Sequence, residues 1–235
     1  MSVMIGQASI DENGKIVGGQ AGNQSGRELN KSPWYKNGWT LVIRAKDPKI
    51  AEKMAQACEK GVANRKIGYD QSQRNTLRAQ AKLANWDLSK LAQTCETDCS
   101  AFVAVCAECA GVNMEVAYTA GNAPATFQMR RQWSKTNAFD MLTDGKYLNA
   151  ETYLRRGDVL VNESRHACMV LSDGPKADTK NSEIIVNGKS YPIDRQLIGG
   201  SNYFKIRDLV DVLREAGVCN LEVSNKGNIA VLKSK

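Results

Sequence analysis

Histidine is almost missing from this chain: one residue in 235, His166. A metal centre built on several imidazoles is therefore excluded, and any imidazole chemistry has to use that one ring. The opening "MSVMIGQASIDENGK" lacks a basic start followed by an apolar run, so no secretory leader is expected. No stretch approaches the apolar length needed to span a bilayer. No basic run or RNA-type aromatic signature occurs, which speaks against a nucleic-acid partner. The seven cysteines are odd in number, in a chain neither short nor visibly secreted, so a disulfide framework is not expected and most thiols should be reduced and buried. No internal repeat or low-complexity tract is present.

What is present is the composition of an ordinary globular protein, 42% hydrophobic and 24% charged. The length suits one large domain, or a medium domain with a small one. A formal net charge of +7 favours polyanions: nucleic acid, an anionic membrane, or an anionic wall polymer such as teichoic acid. The charge is not concentrated, because residues 183–235 carry eight Lys/Arg and six Asp/Glu.

Residues 1–45 suggest short strands and turns, with "GKIVGG" and "WTLVIRA" as strand-like pieces. "DPKIAEKMAQACEKG" predicts a helix capped by Asp47, started by Pro48 and closed at Gly61. Ile50, Met54, Ala57 and Cys58 recur at helical spacing, which makes Cys58 a core residue. "YDQSQRNTLRAQAKLANW" reads as a second helix or a pair of turns, and "NAPATFQMRRQWSK" predicts another helix. "GDVLVN" and "HACMVL" read as a hairpin joined by "ESR". After the polar segment "LSDGPKADTKNS", the chain reads strand, turn at Asn187-Gly188, strand, helix, strand, turn, strand. The fold class expected is α+β, divided into residues 1–180 and a small α+β unit at 183–235.

Four cysteines crowd "CETDCSAFVAVCAECAG", residues 95–111. Cys106 and Cys109 form a CxxC, but inside a predicted helix and with no second pair at zinc-site spacing. They are read as small apolar residues of a packed helix; no metal and no cofactor are expected. Cys99 differs. Thr97 or Asp98 can cap a helix running from Cys99 to Ala110, which leaves Cys99 in the first turn. There the unpaired N–H groups and the helix dipole favour a thiolate, and the same N–H groups can hold an oxyanion. A cysteine nucleophile needs a base, and His166, at the start of a predicted strand, is the available one.

These residues carry a resemblance. "TDCSAFV" followed by "LRRGDVLV" and "HACMVL" resembles the core of NlpC-type and CHAP cysteine peptidases, papain-like peptidoglycan hydrolases. The wider run is similar to endolysin-like proteins of phages and mobile elements in clostridial-type bacteria. It includes "IGQASIDENGKIVGGQAGNQSGRE", "WY", "IGYDQSQRNTL" and "CETDCSAFVAVC", and the resemblance spans about residues 1–180. It implies a nucleophile helix packed on an antiparallel sheet, with Cys99 as nucleophile and His166 as base. The third polar residue is implied on the strand after the histidine, which selects Asp178, with Asp173 as the alternative. Tyr69, Gln24, Asp98 and Ser100 are implied at the substrate side, Gln24 as an oxyanion donor. Residues 183–235 resemble the small repeat domain at the N-terminus of copper amine oxidases, implying a stalk, a wall-binding unit or a dimerisation unit.

The function implied is a bacteriolytic phage-type endolysin that cleaves peptide bonds of peptidoglycan. An N-acetylmuramoyl-L-alanine amidase of the same fold and a non-catalytic wall-binding or virion protein are the alternatives. The expected partner is peptidoglycan, with anionic wall polymers and a homodimer through the C-terminal unit left open. The protein would be made in the host cytoplasm and reach the wall through a holin or by lysis.

Overall fold

The computed structural model describes residues 2–175, and beyond them 183–193, 195–198, 201–204, 206–218, 221–226 and 229–234. The chain divides into two compact units, residues 1–176 and 177–235.

The first unit is built on a six-stranded antiparallel sheet. Its strands are β1 (Met4–Ala8), β2 (Leu29–Pro33), β3 (Leu41–Ala45), β6 (Phe139–Leu142), β7 (Val159–Asn162) and β8 (His166–Val170), in the order β2-β1-β8-β7-β3-β6. Two short strands, β4 (Ile67–Tyr69) and β5 (Cys95–Thr97), pair in parallel outside that sheet. The helices are α1 (Pro48–Ala63), α2 (Thr76–Leu83), α3 (Cys99–Cys109), α4 (Thr126–Trp133) and the single turn α5 (Gly145–Leu148). The first strand of the chain thus lies beside the last strand of the unit, with Gly6 opposite Met169.

Alternation along the central strands explains why they are apolar throughout. Leu41, Ile43, Val159, Val161, Ala167 and Met169 face a core shared with α1 and α3. Ile5, Val42, Leu160, Cys168 and Val170 face a second core that includes Trp39 and Leu154. With both faces covered, period-two patterning disappears and a run such as "HACMV" is buried from its second residue onward. The helix α1 starts as its sequence dictates: Asp47 accepts from Lys49 N and Pro48 opens the first turn. Cys58 is fully buried on it.

The "RGDV" stretch has a structural cause. Gly157 adopts φ +88, and a Cβ there would collide with the Ala51 carbonyl. Asp158 makes a two-point pair with Arg44, at 2.8 Å to Nε and 2.6 Å to Nη2. It also accepts from Arg155 N at 2.8 Å, so this buried carboxylate is fully partnered. "GKIVGG" is a loop instead of a strand. Gly14 and Gly18 take φ +74 and +86, and Ile16 and Val17 are exposed. Turn geometry at the glycines overrides the β-branched pair between them.

In the second unit, β9 (Glu183–Val186) pairs with β10 (Lys189–Pro192) and β13 (Leu221–Lys226) with β14 (Ile229–Ser234), flanking α6 (Ile206–Glu215). A further hairpin, β11 (Arg195–Ile198) with β12 (Ser201–Phe204), stands where the sequence reading has none. Tyr191, Ile193 and Val212 form the small core.

Candidate active site

Cys99 is the first residue of α3 and 5% exposed. Of the two candidate caps, Asp98 fills the role: its Oδ1 accepts from Ala101 N at 2.8 Å. Helix geometry leaves the N–H groups of Cys99 and Ser100 without an intrahelical acceptor. The Ser100 and Ala167 amides both donate toward the Cys99 sulfur. Ala167 follows His166 on β8, and α3 packs on that strand, so the thiol lies against the residue beside the imidazole.

The partner of His166 comes from the other end of the chain. Its Nε2 lies 2.9 Å from Gln7 Oε1 on the neighbouring strand β1. Gln7 Oε1 also accepts from the Tyr35 hydroxyl at 2.9 Å. Gln7 Nε2 donates to Asn30 Oδ1 at 3.2 Å, and Asn30 Nδ2 donates to the Arg27 carbonyl at 2.6 Å. The relay has one sense, because a backbone carbonyl can only accept. It turns the Gln7 oxygen toward the ring, so Nε2 carries the hydrogen and Nδ1 keeps its lone pair. Trp39 stacks beside the ring at 6.3 Å and anchors its own Nε1–H on the Tyr35 carbonyl at 3.0 Å.

Burial decides the resting charges. It pushes the Cys99 thiol up to about 12, with the Asp98 charge adding to the rise; the Ala167 and Ser100 amides and Arg74 act in the opposite direction. Burial likewise takes His166 down to about 4, with Asp98 raising it somewhat. The thiolate favoured by a helix start is thus outweighed here by desolvation, and the free site rests as neutral thiol and neutral imidazole.

The remaining expected residues fall into distinct places. Tyr69 ends β4 beside Cys99, its phenol raised by burial and by the Cys99 charge, and its hydroxyl accepts from Gln71 Nε2 at 3.1 Å. Asp98 and Ser100 do flank the nucleophile, but as parts of its support. Arg74 Nε lies 2.7 Å from Asp98 Oδ2, and Nη2 donates to Ser100 Oγ at 2.7 Å, which leaves the Ser100 side chain buried. Gln24 is used differently from the expected oxyanion donor. Its amide donates to the Ala21 and Gly22 carbonyls of its own loop, at 3.1 and 3.2 Å. Asp173 lies past the far end of β8 from His166 and accepts from Arg156 N at 2.8 Å. Asp178 lies outside the described residues. Cys106 is buried in the core, and its thiol meets that of Cys58.

Two features were missed by sequence reasoning. Gln7 sits in a stretch quoted for its likeness to other proteins, with no local sign of a partner 159 residues away. "NQSGRE" is a loop tied by Glu28, which is fully buried and accepts from Gln24 N and Ser25 N with one oxygen and from Tyr69 N with the other. The loop therefore holds Tyr69 in place. A lone buried-type carboxylate after a Gly/Asn/Ser turn is the sequence signal for such a tie.

The buried Cys99 thiol thus stands at a helix start against Ala167, the residue next to His166, whose ring is held by the Gln7 amide oxygen. The endolysin-like domain family model matches residues 5–177, and the chain belongs to that family. A search of curated proteins found no match, nor did a search of solved structures. Membership suggests a phage-type cell-wall hydrolase acting on peptidoglycan. Among the described residues, no helix is long and apolar enough to cross a membrane.

Proposed function

We propose that the first unit is a papain-like cysteine hydrolase of the NlpC/CHAP kind that cleaves peptide bonds of peptidoglycan. The observation that supports this reading is the Asn30–Gln7–His166 relay, ending on the strand whose next residue, Ala167, directs its amide at the Cys99 sulfur. On this reading Gln7 acts as the third polar residue of the site.

The chemistry follows from the resting charges. As the Cys99 sulfur attacks the scissile carbonyl, its proton passes to the lone pair on His166 Nδ1. The resulting imidazolium is stabilised by Gln7 Oε1 and by the Asp98 charge. The Cys99 and Ser100 amides receive the oxyanion. His166 then protonates the leaving amine, and the thioester is hydrolysed by water that His166 activates. The exposed edge of Tyr35 and the buried Tyr69 flank the sulfur and shape the substrate's approach.

Residues 177–235 serve, on this reading, as the wall-binding stalk, helped toward anionic wall polymers by the chain's positive charge. Action at the wall follows release from the producing cell. The test is clearance of a suspension of purified cell walls. Cys99→Ala and His166→Ala should each abolish it while keeping the wild-type circular dichroism and melting transition. Clearance by folded Cys99→Ala would remove the proposal.

A further inference from the structure

The nucleophile helix begins with an electrostatic conflict. Asp98 caps the helix through its side-chain oxygen, yet its carboxylate charge lies one residue from a sulfur that becomes negative during attack. The residues around that sulfur do little to offset it. Tyr69, Tyr35 and Cys168 are neutral at working pH, with their ionisation pushed up by burial, and His166 rests uncharged.

Arg74 meets the conflict. It lies in the loop between β4 and α2, with a side chain only 17% exposed. Its Nε forms an ion pair with Asp98 Oδ2 at 2.7 Å, without hydrogen-bond geometry, and its Nη2 donates to Asp98 Oδ1 at 3.1 Å, so the fork faces both carboxylate oxygens. The same Nη2 donates to Ser100 Oγ at 2.7 Å, on the other side of Cys99. Its Nη1 donates to the Ala123 carbonyl at 2.9 Å, in the segment that leads into α4. One guanidinium thus grips the residues before and after the nucleophile and a third segment. A lysine, as a point charge, cannot reproduce that fork.

We propose that Arg74 is a positioning residue of the reaction, which holds the Asp98 cap in place for the helix while offsetting part of its charge at the Cys99 sulfur. This rests on Cys99 as the nucleophile of the proposed hydrolase. Nothing in "IGYDQSQRNTL" marks the arginine for such a role; the fold brings it across from 24 residues away.

The test is a charge cycle on the full chain, read as the rate of Cys99 alkylation by iodoacetamide at pH 8 and quantified on the Cys99 peptide by mass spectrometry. Each folded state is checked by melting. Arg74→Gln leaves Asp98 unopposed and should slow alkylation about tenfold, the equivalent of one unit in the thiol's ionisation. Asp98→Asn keeps a cap, leaves the arginine unopposed and should quicken alkylation severalfold. The double variant should return to within about threefold of the parent. An unchanged rate in Arg74→Gln, or a double variant as slow as that single one, would overturn the proposal. If Arg74→Gln does not fold, the double variant must still be slower than Asp98→Asn, and equal rates would overturn it. Alkylation needs no wall substrate. A protein that follows the cycle yet clears no wall would remove the hydrolase reading and leave only the electrostatic effect of Arg74 on the thiol.

Discussion

Replacing Gln7 by leucine removes the relay while keeping most of the side-chain volume. Two part-buried donors, His166 Nε2–H and the Tyr35 hydroxyl, lose a common acceptor at 2.9 Å each, and Asn30 loses a donor. Leaving a buried donor unsatisfied costs about 1–3 kcal/mol, and with the Tyr35 hydroxyl able to turn to water a stability loss of about 1–3 kcal/mol is expected. The catalytic effect is separable from it. Without Gln7 Oε1 the ring can turn or change tautomer, and the lone pair is no longer held at Nδ1. General-base help is worth about 10²–10⁴-fold, and losing its orientation but not the ring should cost part of that, about 10–100-fold in kcat. Gln7→Asn, one methylene short of the ring, should behave like Gln7→Leu with a smaller stability loss. Gln7→Glu should keep an acceptor and move the His166 titration upward, because a carboxylate favours the imidazolium. The assay is hydrolysis of a soluble muropeptide below the melting transition, paired with imidazole NMR, where one histidine gives one signal. A folded Gln7→Leu protein with the parent kcat would refute the relay's role.

The other predictions concern charge and packing. His166 should titrate near 4, well below its free value, so the unfolded chain binds the extra proton between about 4 and 6.5 and stability should fall as pH drops through that window, by up to about 3 kcal/mol; an NMR midpoint at or above 6.5 would contradict the burial argument. Glu96 is buried, faced by Glu28, Asp70 and Glu12, and burial with those charges raises it to about 8. The protonated form therefore stabilises the fold below that pH, and Glu96→Gln should raise the melting temperature at pH 9 more than at pH 6. Asp158→Ala would strand the buried Arg44 guanidinium and should cost about 3–5 kcal/mol, seen as a large drop in the denaturation midpoint. A shift under 1 kcal/mol would mean that solvent reaches the pair.

The start of α3 was legible because it depends on local rules: a cap residue, Asp98, followed by Cys99 at the first helical position is a short-range pattern. The helix α1 followed for the same reason, from Asp47, Pro48 and the spacing of its apolar residues. The contact between Gln7 and His166, on which the proposed relay rests, was not legible, since it depends on which strand lies beside β8. The likeness to other hydrolases pointed forward along the chain, whereas the sheet order puts the first strand there. Strand neighbours so distant in sequence are set by the closing of the whole sheet, and no window of sequence records that. The thiol's resting state was misjudged on similar grounds. The dipole and free amides are local and visible, while the desolvation that outweighs them comes from residues gathered by the tertiary fold. "GKIVGG" failed in the opposite way, with glycine turns prevailing over two β-branched residues.

The most direct measurement of the central claim is mass spectrometry of the fragments released from purified peptidoglycan, with the parent protein and with folded Cys99→Ala compared side by side. The account predicts new amino and carboxyl termini within the stem peptides from the parent protein and none from the variant. New reducing sugar ends, or the same peptide fragments from Cys99→Ala, would contradict it.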